Sequence, residues 1–106
     1  MKIPNHEWIF ASQLWTCWLE TGDCVGQVSG KFTEDGNYSF VATLSEPFGC
    51  TDSEWAELID AKSSILESIT LESLQKCAED EVKWACEFGT RDDAIEVNEK
   101  WEKILE

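Results

Sequence analysis

The sequence predicts an α+β fold: a small antiparallel β-meander over about residues 14–45, followed by three α-helices over about 52–68, 71–88 and 91–105. Three observations carry that expectation. Residues 1–50 hold five of the six glycines and eight aromatic side chains, whereas residues 51–106 hold Gly89 alone. An Asp35-Gly36 step separates two runs of alternating apolar and polar residues, a strong hairpin signal because glycine accepts the positive φ of a tight turn. From residue 51 onwards, apolar residues recur at helical spacing behind residues suited to helix N-caps.

The hairpin is expected over 24–45. Val28, Gly30 and Phe32 alternate before the turn Thr33–Asn37, and Tyr38, Phe40, Ala42 and Leu44 alternate after it. Gly26 and Gly30 inside a strand imply a bulge or a close neighbouring backbone. Residues 8–20 admit two readings. Trp8, Ala11, Trp15 and Trp18 fit a helical stripe, whereas the Trp and Thr content of 14–20 fits a strand with two largely apolar faces. The strand is preferred for 14–20, with Thr21-Gly22-Asp23 turning the chain into the hairpin.

Thr51-Asp52-Ser53-Glu54 has the capping-box pattern, so the first helix is expected to carry Trp55, Leu58, Ile59, Lys62, Ile65, Leu66 and Ile69 on one stripe. Thr70 caps a second stripe of Leu71, Leu74, Ala78, Val82, Ala85 and Phe88. Gly89 fits a left-handed position after that helix, and Thr90 caps the third, with Ala94, Val97, Trp101, Ile104 and Leu105 facing inwards. Glu72–Lys76, Glu79–Lys83, Glu96–Lys100 and Glu99–Lys103 are expected i,i+4 pairs. Each half is small for independent folding, so residues 1–106 are read as one compact acidic domain.

Charge bounds the function. Twenty-two acidic and eight basic side chains give a formal charge of -14. A polyanion repels phosphate backbones and anionic membranes, so neither nucleic acid nor membrane is an expected direct partner. Residues 1–50 carry -4 and residues 51–106 carry -10. No early basic, apolar segment resembles a secretory signal, and no run is apolar enough to span a bilayer. Five cysteines at irregular spacing (Cys17, Cys24, Cys50, Cys77 and Cys86) do not form a disulfide framework. Reduced thiols and a cytoplasmic setting are expected, with Cys77 and Cys86 as small buried hydrophobes. Asn37-Tyr38-Ser39 is read as part of the turn rather than a glycosylation site.

No catalytic, cofactor or metal residue is expected. His6 is the only imidazole, no Cys-x-x-Cys occurs, and Glu79-Asp80-Glu81 and Asp92-Asp93 lack the spacing of a calcium loop. Six tryptophans exceed what so small a domain can bury completely. Trp55 and Trp101 lie on apolar stripes and are expected in the core; Trp84 lies off its stripe and is a candidate interface anchor.

Glu72, Glu79 and Glu87, with Asp80 beside them, and Asp92, Glu96 and Glu99, with Asp93 beside them, are expected to form rows of carboxylate on helices. A rigid row of negative charge resembles a nucleic-acid backbone and is steered onto basic grooves. The expected function is therefore non-enzymatic: inhibition of a larger basic, nucleic-acid-binding effector or nuclease, in the manner of phage-encoded anti-CRISPR or DNA-mimic proteins. Those carboxylates, Trp84 and the hairpin tip Glu34-Asp35 are the expected contacts. The chain itself is expected to be a monomer or small homo-oligomer. An immunity protein for a toxic nuclease, an adaptor whose acidity serves solubility, and a small metal-dependent enzyme remain alternatives.

Overall fold

The β-rich half is held by short turns. Thr33 and Asn37 close one of them: the Thr33 N–H donates to the Asn37 carbonyl at 2.7 Å, and the Gly36 N–H donates to the Thr33 carbonyl at 3.0 Å. Gly36 takes φ +85°, which the Asp-Gly step anticipates. In the computed structural model, which describes residues 4–106, this turn joins strands Cys24–Phe32 (β3) and Tyr38–Leu44 (β4). Before them come His6–Ala11 (β1) and Leu14–Leu19 (β2); after them comes Asp52–Trp55 (β5). The five strands form one antiparallel sheet in chain order. The α+β architecture is thus the expected one, with two more strands than the expected meander.

Both additional strands have a physical reason. β1 turns into β2 through Ser12 and Gln13, each with positive φ (53° and 65°), so the tight turn contains neither glycine nor asparagine. Strand β5 replaces the expected start of the first helix. Asp52–Trp55 instead extend the ladder, pairing Thr43 with Asp52 and Phe40 with Trp55. The Glu54 carboxylate, expected to reach back to a helix N-terminus, accepts from Ser39 Oγ at 3.0 Å and pairs with Lys31 at 3.0 Å. The helix therefore runs only over Leu58–Glu67 (α1), from Glu57 without a side-chain cap. Its inward residues are Ala61 and Ile65, while Ile59 is 73% exposed and Trp55 is half-buried on the sheet.

Cross-strand partners share a face, so register sorts the side chains. One face carries the rows Trp8–Cys17–Gly26–Leu44, Phe10–Trp15–Val28–Ala42–Ser53, Gly30–Phe40–Trp55 and Phe32–Tyr38. The other carries rows of mixed polarity, Ile9–Thr16–Gln27–Thr43–Asp52, Ala11–Leu14–Ser29–Val41–Glu54 and Lys31–Ser39. Helix α1 packs on the first face, where Cys17, Val28 and Ala42 are buried with Ala61 and Ile65. The register shifts opposite Cys17/Trp18, making Val25 an extra, fully buried residue. A bulge beside Gly26 is what that glycine implied.

Residues Asn5–Ile69 form one compact unit, and Thr70–Glu106 belong to a second. The second unit contains helices Leu71–Phe88 (α2) and Arg91–Ile104 (α3), close to the expected ranges. Both start with capping boxes. Thr70 accepts from the Ser73 N–H while Ser73 Oγ accepts from Thr70, and Thr90 exchanges the same bonds with Asp93. Gly89 is not left-handed; it is extended, at φ -114°. A Cβ there would lie 2.9 Å from both the Ala85 carbonyl oxygen and an Asp93 carboxylate oxygen, so close approach accounts for the glycine. The helices pack on each other through Glu81, whose carboxylate accepts from Trp101 Nε1 at 2.6 Å and meets Lys100 Nζ at 2.7 Å. Leu74, Cys77 and Trp101 are buried. Leu71 and Phe88, expected on the inward stripe, are exposed.

Candidate partner-binding surface

Helices α2 and α3 leave most of their carboxylates in solvent. Glu72 lies in the first turn of α2, with Glu79, Asp80 and Glu87 further along; all four are exposed. Seven residues separate Glu72 and Glu79, about two turns, so both lie on one ridge. Glu87 lies eight residues beyond Glu79 and is turned away by about 80° at 3.6 residues per turn. Lys76 and Lys83 interleave that ridge, so the α2 row is less continuous than expected. On α3, Asp92, Glu96 and Glu99 are exposed and follow an i, i+4, i+7 stripe with rises of about 6 and 4.5 Å. Asp93 is exposed, but its carboxylate is engaged by the Thr90 N–H at 2.9 Å.

None of the four expected i,i+4 pairs is among the ion pairs of the described residues. Lys76 instead meets Asp80 at 3.6 Å, and Lys100 crosses to Glu81. The sequence weighed Glu81 only within the Glu79-Asp80-Glu81 run as a calcium candidate; its contact across the helices was not expected, because it depends on Trp101 lying opposite it. With Lys31–Glu54, these pairs engage three of 22 acids among the described residues. Such exposed pairs contribute about 0–1 kcal/mol each, so they leave the acidic excess nearly intact.

The excess is not confined to α2 and α3. Residues 5–69 hold eleven acids and two bases, a formal -9; residues 70–106 hold eleven acids and five bases, a formal -6. The difference from the sequence division arises because Asp52, Glu54, Glu57, Asp60 and Glu67 belong to the sheet unit rather than to the last two helices.

Trp84 is 66% exposed, as its position off the stripe implied. It does not stand alone. Its ring lies 4.7 Å from that of Phe88, one turn later, making an exposed aromatic pair amid the acids of α2. The i,i+4 spacing of two large aromatics was the available signal. Glu34 and Asp35 are exposed in the β3–β4 turn. Asp35 accepts from Thr33 Oγ1 and from Asn37 Nδ2, and these hydrogen bonds hold its carboxyl below the usual range. Lys31 and Ser39 do the same for Glu54. Both groups remain ionised as pH falls into the ordinary carboxylate range.

The cysteines differ sharply. Cys17 is buried, whereas Cys50 and Cys86 are exposed; the expected burial of Cys86 fails because it lies on the outer side of α2. Burial, with a smaller contribution from nearby Cys24, pushes the Cys17 thiol up to about 11 from an ordinary 9.0. A raised thiol pKa favours the folded state at neutral pH, and that contribution is lost as pH rises from 9.0 towards about 11. Alkylation at mildly alkaline pH should therefore label Cys50 and Cys86 rapidly and spare Cys17 until denaturant is added. Mass mapping of the labelled peptides checks this, and prompt labelling of Cys17 would contradict its burial.

Among the described residues, no three His, Cys, Asp or Glu side chains converge as a metal-binding set. No helix among them is long and apolar enough to cross a membrane. Comparison with protein-family models, curated proteins and solved structures finds no match.

Proposed function

We propose that this chain binds and inhibits a larger basic protein by occupying the surface that protein uses for nucleic acid. The observation that supports the reading is the exposed, uncompensated carboxylate stripe Asp92–Glu96–Glu99, carried on a capped helix within a chain of charge -14. Charge fixed on a helix pays little further ordering cost on binding and steers a cationic groove by its field. The α2 acids Glu72, Glu79, Asp80 and Glu87 add to that field, and Trp84 with Phe88 offers an apolar anchor within it. An anti-defence inhibitor acting in the cytoplasm, such as an anti-CRISPR or DNA mimic, fits this chemistry; so does immunity against a nuclease.

The test begins with capture of partners at low salt, salt elution and identification by mass spectrometry. The identified partner is then titrated with labelled duplex DNA in the presence of this chain. The chain should displace the DNA, and its affinity should fall steeply with added salt. Combined Glu72→Lys, Glu79→Lys, Glu87→Lys, Asp92→Lys, Glu96→Lys and Glu99→Lys changes should weaken binding by about a hundredfold or more. Binding that ignores both salt and the six reversals would remove the electrostatic basis of the reading.

A further inference from the structure

The sheet unit carries a second surface whose chemistry is more specific than charge. On the face that α1 packs against, the rows nearest Ile65 are covered, but the aromatic rows continue past the helix. The Phe10 ring lies 4.5 Å from Trp15, Trp15 lies 6.0 Å from Phe40, Phe40 lies 5.2 Å from Tyr38, and Tyr38 lies 5.0 Å from Phe32. One connected ladder of five rings thus crosses β1, β2, β3 and β4. Phe10 is 60% exposed and Phe32 76%, with Tyr38 about half exposed. The ladder depends on Gly30, where a Cβ would overlap the Tyr38 hydroxyl. Beside its Tyr38 end is an open cleft of about 530 Å³ lined by Tyr38 and Trp55 together with the Asp35 and Glu54 carboxylates.

Charge identifies the occupant. The unit of residues 5–69 has a formal charge of -9, and its two basic side chains are already placed: Lys31 on Glu54, and Lys62 with its ammonium 5.1 Å from the centre of the Trp8 ring. That second contact lies on the same sheet face. Where α1 covers this face, a cation therefore sits over an aromatic ring. Past the helix, no cation–ring contact occurs among the described residues of the unit. Of the two cleft carboxylates, Glu54 is held by Lys31, while Asp35 has no ion pair among the described residues. Nucleic-acid bases stack on aromatic sheets too, but their phosphates would meet the surrounding negative field. A guanidinium satisfies both demands, since it stacks flat on rings and forks onto carboxylates; an ammonium lacks the flat stacking surface.

We propose that the ring ladder Phe10–Trp15–Phe40–Tyr38–Phe32, with the cleft between Tyr38 and Trp55, docks an arginine-rich segment of a partner protein. The assignment rests on the reading of this chain as a binder of a basic protein, and it adds a second contact, on the sheet unit, together with the side chain through which that contact is made. Long-range steering would come from the whole acidic surface, and selection for arginine from the rings.

Deca-arginine and deca-lysine peptides titrated by calorimetry at about 150 mM salt, where the Debye length is about 8 Å, provide the test. The intact chain should bind deca-arginine at least about fivefold more tightly than deca-lysine. The combined variant Phe10→Ser, Phe32→Ser, Tyr38→Ser keeps the charge at -14 and should weaken deca-arginine by about tenfold. Its folding is checked by circular dichroism. If it unfolds, amide shifts of the intact protein decide: deca-arginine should perturb residues 10, 15, 32, 38 and 40 more than residues 72–99. Equal affinity for the two peptides, unchanged affinity in the folded variant, or shifts confined to 72–99 would each overturn the proposal while leaving the basic-partner reading in place. Absence of binding by either peptide, even at about 10 mM salt, would count against both. Self-association through the ladder, seen as a dimer that the triple variant abolishes and deca-arginine does not dissociate, would assign the face to a second copy instead.

Discussion

Trp101→Ala should lower the unfolding free energy by about 3–5 kcal/mol, the cost of deleting a fully buried aromatic. Trp101 is 2% exposed and is held in two ways. Its ring is part of the inward stripe of α3, and its Nε1 donates to Glu81 on α2 at 2.6 Å. Glu81→Gln removes the ionic contact with Lys100 but keeps an acceptor for the indole, so it should cost only about 1 kcal/mol. Trp101→Phe keeps much of the volume but leaves the Glu81 carboxylate without its indole donor, and should fall between the two. Urea titrations followed by circular dichroism measure all three. A Trp101→Ala loss below about 1 kcal/mol would mean that the side chain does not anchor the helix pair.

Gly26→Ala should destabilise the sheet unit by about 1–3 kcal/mol, although alanine is the smallest side chain that could be added. Its Cβ would lie 2.5 Å from the Thr43 carbonyl oxygen and 2.8 Å from Ile65 Cδ1. The second conflict is with a side-chain tip that can move, whereas the first is with backbone fixed in the β3–β4 ladder. Trimming Ile65 to Val in the same chain should therefore recover little of the loss. Ile65→Ala alone should cost about 2–5 kcal/mol by leaving a cavity under α1. A double variant as stable as Ile65→Val alone would show that Ile65, not the strand backbone, sets the constraint.

These two positions illustrate what could be read in advance. The glycine at 26 signalled a bulge or a close approach, and both occur there, but which neighbour it met required the fold. The Asp35-Gly36 turn and the capped stripes of α2 and α3 are local in cause, so composition and spacing reveal them. Strand β5 was hidden because Thr51–Glu54 is equally good helix-capping chemistry; hydrogen bonding to β4 decided between the two. Strand β1 was hidden because Ser12 and Gln13 adopt positive φ without the residues that usually announce it. For the candidate surfaces, exposed Trp84 was legible from its angular offset on α2. The ring ladder was not, because alternation says that Tyr38 and Phe40 share a face but not where the cover provided by α1 ends.

The strand order has a kinetic consequence. Each strand pairs with the next in the chain, and no ladder partners lie more than 18 residues apart. Every new strand then closes only a short loop, at little entropic cost, onto an edge that already exists. A sheet of this kind grows by successive hairpins in the order of synthesis, and α1 arrives last to cover what they have built. Within the sheet no pairing of distant segments is needed, and only α1 closes longer loops, back to Gly26 and Trp8, so the sheet should form quickly for a β-structure.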